Sequence, residues 1–140
     1  LGIYLDLTQL EGLLEPPDRT VAVGYMPASS AAHLGCSLGI AYLSSTSLRH
    51  ILQDHPDITL IDLVCLTSML HDGLWIADRP KHAVVVYNPP ETDKRYKAAI
   101  KVTAGGFEPY VCTFHRFGDR QLESLLKRGR ILWEGCGGWR

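Results

Sequence analysis

Histidines, basic residues and hydroxyls supply the reactive side chains of this 140-residue chain. The glycine-rich phosphate loop, the dinucleotide fingerprint, the His-Glu-x-x-His helix and the Gly-x-Ser-x-Gly elbow are all absent from the sequence. The remaining inventory suits general acid–base work on a phosphodiester. One group takes the ribose 2′-hydroxyl proton, another protonates the leaving oxygen, and cations stabilise the charge on phosphorus.

Thr113 and His115 stand two apart in a β-rich run, so they share one strand face. The preceding run carries Lys97 and Lys101 on its polar side, and a hairpin would set the two beside each other. Together they would form a phosphate platform if the register pairs odd positions with odd positions; a slip by one residue sends the lysines elsewhere. Arg79 and Lys81 flank Pro80 at a strand boundary and add charge near the same place, or serve as ordinary turn residues. His50 falls opposite the Leu48, Ile51, Leu52 stripe of its helix at about 100° per residue, and His55 falls within the stripe. His50 is thus the candidate for a cleft or a solvated surface histidine, and His55 a residue that packs or bonds near the helix end.

The helices and strands that carry these groups are legible from residue 47 onward. Ser47 is read as the N-cap of a helix that Pro56 ends, and Thr59 caps a second helix, Leu60 to about His71, that stops near Gly73. The runs 74–78, 82–87, 96–102 and 110–117 read as four strands. In the last, Tyr110, Cys112 and Phe114 are expected on one face and Val111, Thr113, His115 and Phe117 on the other. A turn at 104–106 joins the last two strands. Asp119 caps a final helix with Leu122, Leu125 and Leu126 as its buried stripe and Gly129 as its stop, and Ile131–Trp133 is a candidate short strand. Before these elements, Thr20–Tyr25 suggests a strand after the Pro16-Pro17-Asp18 turn, and residues 29–43 are small and apolar with Gly35 and Gly39 four apart. The expectation is an α+β fold: two helices, a four-stranded antiparallel sheet and a short C-terminal helix, preceded by an extra N-terminal segment. Residues 1–45 form that extension and residues 46–140 the domain.

Composition narrows the function further. With 46% hydrophobic and 21% charged residues the chain can fill a core. Its most apolar run, Leu34–Leu43, is half the roughly 20 residues a spanning helix needs, so no membrane association is expected. The net charge of −1 divides into −5 over residues 1–70 (two Arg against seven acids) and +4 over residues 71–140 (twelve Lys and Arg against eight acids). The basic half can hold a polyanion site, because phosphate binding follows local charge. Cys36, Cys65, Cys112 and Cys136 include no close pair, and His33 with Cys36 supplies only two ligands, so no metal site and no cofactor are expected. Cys65 and Cys112 lie in apolar runs and read as buried free thiols. The first residue is Leu1, which reads as a piece of a longer polypeptide or a processed product.

The run from Leu48 to Pro56, with its His-Ile-x-x-x-His-Pro signature, the second helix, the strand pair, Tyr96–Val102, and Tyr110–His115 with its Thr-x-His ending together resemble a known family. They are similar to the phage-borne nuclease domains of the barnase/EndoU/colicin/RelE superfamily, over about residues 46–132. The resemblance implies cleavage of RNA, tRNA included, without a metal, to a 2′,3′-cyclic phosphate, in a toxin or phage effector carried on a larger polypeptide. It implies a catalytic set of His50, Lys101, Thr113 and His115, with Arg79, Lys81, Lys97 and His55 binding substrate; the helical histidine of the family corresponds to His50 or to His55. Residues 1–45 have no counterpart in the family.

The function expected is therefore a small endoribonuclease acting in the cytoplasm of a host or target cell, with RNA as substrate and a cognate immunity or antitoxin protein as partner. Its rival is a non-catalytic module whose basic sheet face binds nucleic acid or a protein. DNA cleavage is a further rival, against which stands the lack of a recognisable carboxylate–histidine metal cluster.

Overall fold

Short runs of alternating apolar residues punctuated by Gly, Pro and hydroxyl side chains dictate short elements, and the computed structural model shows thirteen of them among its described residues. It describes residues 2–36, 38–103, 106–136 and 139. In chain order these are α1 (Leu7–Leu13), β1 (Thr20–Tyr25), α2 (Ala28–Leu34), β2 (Ile40–Ser44), α3 (Ser45–Asp54), α4 (Leu60–Leu63), α5 (Leu66–Asp72), β3 (Leu74–Ala77), β4 (His82–Tyr87), β5 (Tyr96–Val102), β6 (Pro109–Arg116), α6 (Asp119–Arg128) and β7 (Arg130–Trp133).

The strands form one seven-stranded sheet in the order β1-β2-β6-β5-β4-β3-β7. Every pairing is antiparallel except β2 with β6, which run parallel and meet at Tyr42 and Tyr110. This corrects the expected fold. The four central strands are present, but the sheet is mixed and extends beyond them on both sides. Residues 20–44 supply β1 and β2, so this stretch is part of the sheet and not an appendage to it. The reason lies in burial. Val23, Ala41 and Leu43 are wholly buried in the main core with Leu10, Leu13 and Leu34, and a two-stranded hairpin alone could not hide them. β7 closes the other edge against β3, with Ile131 opposite Ile76 and Trp133 opposite Trp75.

Two layers of packing follow from the period-two alternation of the central strands. On one face Trp75, Val85, Ala98, Ile100 and Phe114 meet the apolar sides of α1 to α5. On the other, Leu74, Ile76, Val84 and Val86 meet Phe117, Leu122 and Trp139, with Leu125 and Leu126 of α6 alongside. Only α6 covers this second face among the described helices, and it covers only part of it.

Several local expectations shift by a few residues. Ser44, not Ser47, caps α3; its hydroxyl accepts from the Ser47 amide at 3.1 Å, because β2 runs into the helix with no loop between. Thr59 caps its helix as expected, with Asp62 completing the reciprocal box, but the helix breaks into α4 and α5 about Val64 and Cys65. Gly118 rather than Asp119 precedes α6, its amide donating to the Gln121 side chain at 2.8 Å, and Gly129 ends it. Within β6 a bulge at Cys112 changes the expected faces: Val111 and Phe114 both point into the main core. Of the expected 104–106 turn, Ala104 and Gly105 lie outside the described residues.

Candidate active site

The second sheet face, where α6 leaves it uncovered, gathers most of the basic and proton-bearing groups singled out from the sequence. The register of β5 and β6 sets Lys97 opposite His115 and Ala99 opposite Thr113. The odd-with-odd pairing holds over this half of the hairpin. Past the bulge, Lys101 faces Tyr110 instead. From the other side, β4 sets Val86 beside Lys97, Val84 beside Ala99, and His82 beside Lys101. Three rows result across the three strands: Val86–Lys97–His115, Val84–Ala99–Thr113 and His82–Lys101–Tyr110. Directly opposed residues share a face, with their Cβ atoms about 5 Å apart. The small side chain of Ala99 keeps the centre low between two lysines and an exposed Thr113 hydroxyl.

α3 brings a second histidine to this face. Pro56 cannot continue the helix, so the chain leaves α3 at His55, whose amide still donates to the Ile51 carbonyl at 3.0 Å. There the His55 ring stacks on His115, with centroids 5.0 Å apart and planes inclined by 27°. The His115 Nδ1 lies 2.9 Å from the Arg116 carbonyl oxygen. A carbonyl can only accept, so hydrogen bonding assigns the proton of the neutral ring to Nδ1 and leaves Nε2 with its lone pair. Burial holds this imidazole below the ordinary histidine range. The Arg116 carbonyl opposes that shift, the charges of His55 and Lys97 add to it, and Asp57 opposes it. A neutral imidazole with a free Nε2 beside an ammonium group is the form a general base requires.

Lys97 is half-buried, and its ammonium sits 5.3 Å from the centroid of Phe117, whose ring also meets His115 edge-on at 6.3 Å. Burial disfavours its charge; Asp78 favours the charge and Arg128 opposes it. At the other end of the face His82 is also held below the ordinary range, first by burial and then by Arg79, with Asp78 opposing and Lys101 adding. His33 donates through Nε2 to the His82 carbonyl at 2.8 Å and fixes the start of β4. Arg79 therefore acts on the His82–Lys101 end of the platform. Lys81 occupies the same turn in the left-handed backbone region, φ 64°, with its carbonyl accepting from Val102 and its side chain exposed.

The structure thus brings Lys97, Lys101, Thr113 and His115 to one face, stacks His55 on the last of them and sets Arg79 at the far end. His50 is on the exposed side of α3, and its side chain makes no hydrogen bond, ion pair or ring contact among the described residues. Between the two histidines the sequence left open, His55 is the one that touches the strand. Sequence reasoning passed over His82, Arg120 and Arg128. Arg120 and Arg128 occur at helical spacing with Ser124 on the polar side of α6, which is a legible signal. The pairing of His82 with Lys101 depends on strand register and has no local signature.

Among the described residues, no three His, Cys, Asp or Glu side chains come together as a metal cage, and no helix is long and apolar enough to cross a membrane. Comparison with family models, curated proteins and solved structures finds no match to this chain.

Proposed function

We propose that the open sheet face cleaves RNA by intramolecular transfer at phosphorus, using the protein's own acid–base groups. The observation that carries this reading is the stacked His55–His115 pair beside Lys97, with the Nε2 lone pair of His115 left free. The ribose 2′-oxygen attacks phosphorus while its proton passes to His115 Nε2. The P–O5′ bond breaks, and His55 gives a proton to the departing 5′-oxygen. The products are a 2′,3′-cyclic phosphate and a 5′-hydroxyl end. Lys97 and Lys101 stabilise the extra negative charge on the phosphoryl oxygens, and the Thr113 hydroxyl donates to one of them. The reading uses His55 of the His-Ile-x-x-x-His-Pro segment and the Thr113–His115 strand, which are the parts of the chain that carry its resemblance to phage and toxin nucleases. An RNA target places its action in the cytoplasm of a host or target cell, with the chain borne there as part of a toxin or phage effector, and an inhibitor would act by covering this face.

The test is incubation of the purified chain with total RNA and tRNA in EDTA, with end-group analysis of the products. Cleavage leaving 2′,3′-cyclic phosphates is expected, with His115→Ala and His55→Ala each slowing it by about 10²–10⁴-fold. His50→Ala is expected to leave the rate close to that of the parent chain. Intact RNA, or cleavage that survives loss of both His55 and His115, would overturn the reading. RNA that is retarded on a gel without being cut would favour a binding module instead.

A further inference from the structure

Beside the histidine pair, a cationic groove runs between α6 and the sheet. Its first part is a cleft of about 330 Å³ lined by Lys97, Phe117, Arg120, Gln121, Ser124 and Arg128, among others. A second cleft of about 180 Å³ shares Lys97, Leu125 and Arg128 with the first and continues past Asp78 to Gly129. Lys97, directly opposite His115, belongs to both clefts and to the candidate active site.

Three features of the groove point to a ligand. Arg120, Ser124 and Arg128 recur at four-residue intervals, so they line one side of α6 over about 12 Å. Among the described residues, neither arginine is paired with a carboxylate; Arg128 donates through Nε to the Ser124 carbonyl at 3.2 Å, which steadies the guanidinium and leaves its remaining donors free. The acids nearby do not cancel this charge: Asp119 is engaged by Arg95 at 2.7 Å, Glu123 is exposed on the helix, and Asp78 lines only the second cleft. Two guanidinium groups carried about 12 Å apart along one side of a helix suit two separate phosphates of one strand better than a single isolated anion.

We infer that the groove between α6 and β5 holds the phosphates of a single-stranded RNA segment flanking the bond to be cut. The inference rests on the proposed RNA cleavage for the identity of the strand, and on the groove itself for the contacts. The enzyme then discriminates by length: a dinucleoside monophosphate reaches only His55, His115 and the lysines, whereas a longer strand also engages Arg120 and Arg128.

The experiment compares the parent chain with Arg120→Ala/Arg128→Ala, both checked for an unchanged thermal melt. In a His115→Ala background, binding of a fluorescein-labelled single-stranded RNA oligonucleotide is expected to weaken roughly tenfold when both arginines are removed. The slope of log affinity against log salt should fall by about 1.4, the share of two phosphate contacts on a single strand. With His115 intact, the double variant should raise KM for the oligonucleotide by a much larger factor than KM for a dinucleoside monophosphate. Unaltered affinity and salt slope would overturn the groove assignment, even if RNA is cut. Loss of binding in the double variant with no cleavage by the parent chain would keep the groove and overturn the catalytic reading.

Discussion

His55 and His115, from opposite halves of the chain, stack ring on ring at 5.0 Å because α3 ends where β6 presents its outward face. Removing either ring leaves the other without its neighbour, and the consequences are readable by pH.

On the proposed cleavage, the rate should rise with pH along an acid limb set by His115. Its folded-state pKa is below the usual histidine value of about 6.5, so the base form is available below that pH and the limb lies to the acid side of it. Lys97→Gln removes one of the charges that push the imidazole down, and should move the limb toward higher pH as well as lower the maximum. A pH profile of kcat/KM, matched to an NMR titration of the His115 ring, checks both.

The same depression has a sign for stability. The unfolded chain binds the proton more readily than the folded one, so the stabilisation is full above about 6.5 and is lost as pH falls through the folded-state value. His82, also depressed, acts in the same direction. Urea midpoints should therefore drop from neutral toward acid pH, and His115→Gln should flatten part of that fall. An unchanged profile in the variant would contradict the assignment.

Leu43→Ala should lower the free energy of unfolding by about 2–5 kcal/mol, the cost of emptying a fully buried leucine site. Were residues 1–45 a dispensable extension, the loss would be near zero. Chemical denaturation of the two proteins distinguishes these outcomes.

Gly73→Ala should destabilise the chain by about 1–3 kcal/mol through crowding. A Cβ there would come within 2.6 Å of the Met69 carbonyl oxygen and 2.8 Å of that of Val86, backbone atoms that cannot swing aside. The backbone at this residue is extended, φ −77°, so strain in the dihedral plays no part. Thermal unfolding measures the effect.

Among the cysteines, Cys65 should be the slowest to alkylate. Burial, with the charge of Asp62 adding to it, pushes its thiol up to about 12, so almost no thiolate exists at neutral pH. Cys136 is exposed, and although its hydrogen bond to Asp72 raises its pKa, iodoacetamide should label it first. Mass spectrometry of a time course gives the order.

Features that depend on neighbours a few residues away could be read from the amino-acid sequence. The alternation of Val, Ile and Ala in 74–102 makes strands, Thr59 with Asp62 makes a helix start, and Pro56 makes a helix end, because each acts through contacts inside its own turn or strand. The sequence also put Thr113 with His115 on one face of their strand and Lys97 with Lys101 on one face of theirs, since side-chain direction alternates with a period of two; the register that sets Lys97 opposite His115 came from the pairing of the two strands. Tertiary structure decided what depends on hydrogen bonds between distant segments. The small residues of 29–43 carry no strong period, and β2 exists because Tyr42 meets Tyr110 and Leu43 finds the core. In the Ser44–Ser47 run any hydroxyl could cap α3, and the end of β2 selected Ser44. The bulge at Cys112 sent Val111 to the main core and moved Lys101 opposite Tyr110, an offset written in the pairing of two strands and in neither one alone. The choice of His55 over His50 belongs to the same class. Helical geometry put His50 outward and His55 on the packed side, and only the position of β6 brought His55 against His115.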